Sequence, residues 1–99
     1  MDSAKQTLSG QQLQDAVREL PEWALEDGKL VRYWKFPGFA QAIEFVDGIA
    51  QLAEREGHHP DIDIRYDRVK LALISHDAGG VTQRDAQMAR RISAAVAGP

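Results

Sequence analysis

Three stretches of the chain repeat apolar residues at helical spacing, and alternating segments lie between them. Leu13, Ala16, Val17 and Leu20 recur three and four apart, which draws one apolar stripe along a helix. Ser9 followed by Gln12 supplies a capping-box start, and Pro21, which lacks an amide hydrogen, ends that helix. Phe39, Ala42, Ile43, Val46, Ile49, Ala50 and Ala53 make a second, longer stripe, with Gln41, Glu44, Asp47, Gln51 and Glu54 largely off it. Gly57 stands where a helix favours a left-handed terminator. Met88, Ala89, Ile92, Ala95 and Val96 form the third stripe behind a Thr82–Asp85 capping box.

The intervening segments read as strands. "EWALEDGKLVRYWKFPG" is a hairpin, because Asp27-Gly28 is a strong turn signal between two segments rich in strand-forming residues. "DIDIRY" alternates strictly, and "DRVKLALISH" supplies its partner strand. The order is therefore helix, two strands, helix, two strands, helix. Its economical arrangement is an α+β two-layer domain, a four-stranded antiparallel sheet with helices covering one face. The other face is left partly open, for solvent, a ligand or another subunit. Residues 9–99 form a single domain in this reading, and residues 1–8 a loose leading segment.

A turn at Asp67-Arg68 pairs Tyr66 with Val69, Ile64 with Leu71 and Ile62 with Leu73, putting six apolar residues on one face. Extended outward, that pairing sets His59 opposite His76, with β-carbons roughly 4.5–5.5 Å apart. Pro60 cannot donate to the ladder and ends regular pairing. His58 and His59 are thus expected at the sheet rim, between a helix end and a proline, with His76 delivered to them. Glu54 precedes His58 by one helical turn. If it faces His58 it favours the protonated imidazole, as a general acid requires.

Composition narrows the chemistry. The net charge of −3 gives no basic footprint for nucleic acid or an anionic membrane surface. The absence of cysteine removes disulfides and thiolate metal sites, and leaves histidine and carboxylate chemistry. No apolar run approaches the roughly 20 residues of a membrane span, and "MDSAKQTLSG" lacks signal-peptide features. A cytoplasmic domain is the expectation. Zinc is the obvious rival use for three histidines, completed by Asp85 or a water. Adjacent histidines in extended chain point to opposite sides, however, so His58 and His59 grip one ion poorly. No metal or other cofactor is expected.

Other residues have structural readings of their own. Asp85 is the third residue of a capped helix, reason enough for a carboxylate there. Trp23, Trp34 and Tyr33 suit a core or a subunit interface. Gly79-Gly80 reads as a turn before a helix cap.

Glu54, His58, His59, Pro60, Tyr66, His76 and Asp85 also meet, position by position, a known signature: a charged residue, three others, His-His-Pro, an aromatic, a histidine after nine residues, and a later aspartate. In this, and from the Leu20-Pro21-Glu22-Trp23 segment to the last helix, the chain resembles the pterin-4a-carbinolamine dehydratase family. The resemblance implies dehydration of 4a-hydroxytetrahydrobiopterin to quinonoid dihydrobiopterin, downstream of a pterin-dependent aromatic amino acid hydroxylase. It implies His58 and His76 as the acid–base pair, with His59 and Trp23 helping to hold the pterin. Glu54, Pro60 and Asp85 complete the expected site. Family likeness also implies a homodimer or homotetramer. It leaves two rivals: a dimerising scaffold or coactivator of the same fold, and a pterin dehydratase serving molybdenum-cofactor metabolism. Histidine, with an ordinary pKa near 6.5, can protonate a leaving oxygen or accept a ring N–H proton at neutral pH.

Overall fold

A computed structural model describes residues 6–97. The elements are α1 (Gly10–Arg18), β1 (Ala24–Glu26), β2 (Lys29–Lys35), α2 (Phe39–Glu56), β3 (Asp61–Arg65), β4 (Arg68–Leu73) and α3 (Gln83–Ala97). This is the expected α-β-β-α-β-β-α order. The strands form one antiparallel sheet in the order β1-β2-β4-β3, so the two hairpins meet through β2 and β4.

Alternation along the strands sorts side chains onto two faces. Leu30, Val69, Leu71 and Leu73 are almost wholly buried and share a core with Ile49, Leu52 and Ala53 of α2 and Met88, Ala89 and Ile92 of α3. Full burial of each large aliphatic side chain stabilises by about 1.5–3 kcal/mol. On the opposite face, Tyr33 is exposed and Lys70 half-buried. Among the described residues no helix is long and apolar enough to cross a membrane.

The stripe on α2 is rotated from the expected one. Ala42, Ile49, Leu52 and Ala53 are buried and Phe45 packs against the core, whereas Phe39 and Ala50 are exposed. The helix carries apolar residues around more than half its circumference, and the sheet takes only one part of them.

Both helix caps expected from hydroxyl residues are present. The Ser9 hydroxyl accepts from the Gln12 amide at 3.2 Å, and the Gln12 side chain accepts from the Ser9 amide at 2.8 Å. At α3 the Asp85 carboxylate accepts from the Thr82 amide at 2.8 Å. The first helix stops at Arg18, before Pro21 is reached.

The two hairpins turn differently. Asp27 and Gly28 both have positive φ, 51° and 74°, as the favoured two-residue hairpin turn requires. The second hairpin turns one residue earlier than expected, at Tyr66-Asp67, and pairs Arg65 with Arg68, Ile64 with Val69 and Ile62 with Leu71. The expected Tyr66–Val69 register is therefore slipped by two. A slip of two preserves which face every side chain occupies, so the apolar pattern could not detect it. Tyr66 adopts φ 55° to make the turn, and the Phe36 amide binds the Asp67 carbonyl at 2.8 Å, tying the turn to the end of β2.

The leading segment is not wholly loose. Residues 1–5 lie outside the described part, but Thr7 bridges Thr82 and the Leu8 amide binds the Val81 carbonyl at 2.9 Å. A β-carbon on Gly80 would come within 3.1 Å of the Thr7 methyl, so a side chain there would press on Thr7.

Candidate active site

The end of α2 sets the first histidine. Gly57 takes the left-handed conformation (φ 66°, ψ 26°) and the His58 amide folds back to the Ala53 carbonyl at 3.3 Å, a Schellman-type stop. The chain then leaves the helix axis with His58 directed at the first turn of α3. There His58 Nε2 lies 2.5 Å from Asp85 Oδ1, with the His58 side chain 15% exposed and Asp85 fully buried. The other oxygen, Asp85 Oδ2, accepts from the Ser75 hydroxyl and the Thr82 amide, both at 2.8 Å. One carboxylate thus caps a helix and holds an imidazole. The capping reading of Asp85 is correct, and its second oxygen does the additional work.

His59 points elsewhere. Its Nε2 meets Glu54 Oε2 at 2.5 Å, and both side chains are mostly exposed, 61% and 77%. The expectation that Glu54 serves His58 is overturned: Asp85 has that place. Consecutive residues in extended chain send side chains to opposite sides, and Glu54, on the last turn of α2, lies on the side of His59.

His76 is not opposite His59 as the expected register required. Continuing the observed pairing brings Pro60 level with Leu73 and His59 level with Ile74, leaving His76 beyond the ladder. Instead His76 Nε2 lies 3.9 Å from Asp61 Oδ1, whose other oxygen is 3.5 Å from Lys29 Nζ. Asp61 directly follows the buried Pro60, so His76 approaches the segment after the other two histidines, through a loose contact between side chains 75% and 51% exposed. His76 is itself held in a tight loop. The Ser75 carbonyl accepts from the Ala78, Gly79 and Gly80 amides, and the Ser75 amide returns to the Gly80 carbonyl.

Each histidine therefore has its own carboxylate: His58 with Asp85, His59 with Glu54, His76 with Asp61. Sequence reasoning missed Asp61, which looked like a mere step in an alternating strand, and Ser75, whose only signal was a hydroxyl closing the apolar run before His76. Among the described residues no three such side chains converge as metal ligands.

His58 also borders a cavity of about 90 Å³, with Glu56, Arg84, Gln87, Met88 and Arg91 among its walls. Neither His59 nor His76 lines it, so the three imidazoles do not meet in this cavity. Trp23 is in the core. It is 3% exposed, its indole N–H donates to Ser93 Oγ at 3.0 Å, and its ring meets Trp34 edge-on at 6.1 Å. The packing reading of Trp23 fits that position, and the indole offers a ligand almost no surface.

Comparison with known proteins agrees over nearly the whole domain. The family model described as pterin 4 alpha carbinolamine dehydratase matches residues 6–95. A protein of Chloroflexus aurantiacus, named provisionally as a pterin-4-alpha-carbinolamine dehydratase, is 48% identical over 85 residues, covering 86% of this chain and 91% of its own. One of Acidobacterium capsulatum, named likewise, is 46% identical over 87 residues, covering 88% and 95%. Among solved structures, a transcriptional coactivator/pterin dehydratase from Brucella melitensis superposes with a TM-score of 0.81 at 36% identity, covering 89% of this chain and 96% of that one. A pterin dehydratase-like protein identified as a RuBisCO assembly factor in the alpha-carboxysome gives a TM-score of 0.57 at 26% identity, covering 73% and 83%.

Proposed function

The chain belongs to the pterin 4 alpha carbinolamine dehydratase family, and on that premise we propose that it dehydrates 4a-hydroxytetrahydrobiopterin to quinonoid dihydrobiopterin. The observation that carries this reading is the part-buried His58, held by the fully buried Asp85 beside the His59-Pro60 step. In the reaction the C4a–O bond breaks, the departing hydroxide takes a proton and leaves as water, and a ring N–H proton passes to a base. His58 and His76 divide the acid and base roles, with His59 contacting the pterin. Glu54 orients His59, Pro60 fixes the backbone between the histidines and Asp61, and Asp85 holds His58. General acid–base assistance of this kind contributes about 10²–10⁴-fold, and the chemistry calls for neither a nucleophile nor a metal.

In this reading the substrate comes from a pterin-dependent aromatic amino acid hydroxylase, and the protein recycles that enzyme's cofactor in the cytoplasm. Self-association is part of the proposal. Phe39, Ile43, Val46 and Ala50 continue an apolar stripe on α2, with Phe39 and Ala50 exposed, and such a face suits a second copy. Following the loss of enzymatically generated 4a-hydroxytetrahydrobiopterin with wild-type protein and with His76→Ala tests the assignment. A variant as fast as wild type removes His76 from the mechanism.

A scaffold is the second reading, favoured by the names of the two structural neighbours, a coactivator and an assembly factor. A partner pull-down compared between wild type and a His58→Ala, His76→Ala double variant separates the two. Equal capture without any dehydration by the wild type supports the scaffold. Dehydration of a molybdenum-cofactor pterin in place of the biopterin carbinolamine supports the remaining alternative.

A further inference from the structure

Ser75, Thr82 and Asp85 are buried polar residues, and their hydrogen bonds admit only one direction. Asp85 Oδ2 accepts from the Ser75 hydroxyl at 2.8 Å, which commits the single proton that serine carries. The 2.8 Å contact between the Ser75 and Thr82 oxygens therefore uses the threonine's proton, with Ser75 accepting. Thr82 Oγ1 accepts in turn from the Arg84 amide at 3.2 Å. The chain of donors runs from the Arg84 amide through Thr82 and Ser75 to Asp85, and the Thr82 amide adds a second donor to the same carboxylate oxygen.

Both contacts to Oδ2 come from donors, the pattern that an acceptor-only carboxylate makes. An ionised carboxylate only accepts, so the 2.5 Å contact from Oδ1 to His58 Nε2 requires a proton on that nitrogen. A neutral imidazole carries one ring proton, and Nδ1 is then the bare nitrogen.

We propose that Ser75 and Thr82 are positioning residues that set the tautomer of His58, fixing the proton on Nε2 and leaving Nδ1 as the nitrogen that exchanges protons with substrate. Its catalytic consequence rests on the dehydratase reading above. During turnover Nδ1 takes up one proton and returns one, while Nε2–H stays on Asp85. Ser75 also links the two acid–base residues. Its side chain acts on His58 through Asp85, and its backbone closes the loop that holds His76.

Long-range ¹H–¹⁵N correlation of the nitrogens of the neutral imidazole tests this in the wild-type protein without substrate. The expected spectrum has His58 protonated at Nε2 and bare at Nδ1. The opposite tautomer overturns the proposal. In Ser75→Ala the expected result is a mixture of tautomers and a kcat lower by roughly 10-fold, within the ~10²-fold that a small misplacement of a catalytic group can cost. KM stays within about twofold of wild type, because the substrate contacts are untouched. Ser75→Thr, which keeps the hydroxyl, restores both. Wild-type tautomer and kcat in folded Ser75→Ala also overturn the proposal. If Ser75→Ala does not fold, the wild-type spectrum and the Ser75→Thr variant still decide it. Finding the predicted tautomer in a protein that dehydrates no pterin refutes the dehydratase reading alone and leaves the positioning chain standing.

Discussion

His58 and His59 are neighbours in the chain, and each meets a carboxylate at 2.5 Å, yet the two pairs are built for different work. His58 sits against a fully buried aspartate whose other oxygen is tied to Ser75 and Thr82. His59 meets a glutamate that is 77% exposed. Interactions inside a protein are electrostatically stronger than in water, whereas exposed ion pairs contribute about 0–1 kcal/mol and weaken with salt. Equal distances thus conceal unequal roles. The buried pair fixes geometry, and the exposed one can form and break without disturbing the fold.

The largest effect expected from that contrast is on activity. His58→Ala should lower the dehydration rate by about 10²–10⁴-fold, the usual contribution of general acid–base catalysis, and His59→Ala should lower it less. Kinetics on the two folded variants check the ranking, and equal losses would break the contrast. Stability comes next. Asp85→Ala strands the Ser75 hydroxyl and the Thr82 amide in a buried site, at about 1–3 kcal/mol for each unsatisfied group. Glu54→Ala should change stability by less than about 1 kcal/mol. Urea unfolding of both variants measures the difference.

Gly57→Ala probes how His58 is delivered. A side chain at φ 66° costs about 1–2 kcal/mol, and the helix stop that turns His58 toward α3 loosens with it. Urea unfolding should show that loss together with a reduced rate, while Gly10→Ala, at a position with open space around it, should show neither. The smallest effect concerns Asp77, in the loop carrying His76. Its hydrogen bond from Arg84 holds the Asp77 carboxyl below its ordinary value of 3.8. A depressed carboxylate adds stability above its unfolded pKa and loses it as pH falls through the lower folded value. NMR titration should find Asp77 below the ordinary value in wild type and near it in Arg84→Gln, with no change in the His58 tautomer.

The two hairpins mark how much of this was legible in the sequence. Asp27-Gly28 names its own turn, because both positions need positive φ and few residue pairs accept it. Tyr66 bears no such mark. An aromatic residue in the left-handed region is uncommon, and the apolar pattern is blind to a slip of two. The element order and the caps were therefore readable from periodicity and spacing. Which carboxylate each histidine meets was not, because it depends on the final register and on where α3 docks. Asp85 illustrates the limit. Its capping role is local and visible, whereas its bond to His58 spans 27 residues. The α2 stripe failed for a related reason: with apolar residues on more than one side, only packing against the sheet decides which of them are buried.

The measurement that bears most directly on the account is the rate at which 4a-hydroxytetrahydrobiopterin loses water with and without the wild-type protein at neutral pH. The account predicts an acceleration over the spontaneous reaction that grows in proportion to protein concentration. A rate unchanged from the spontaneous one, with folded protein and its imidazole–carboxylate pairs intact, would contradict it.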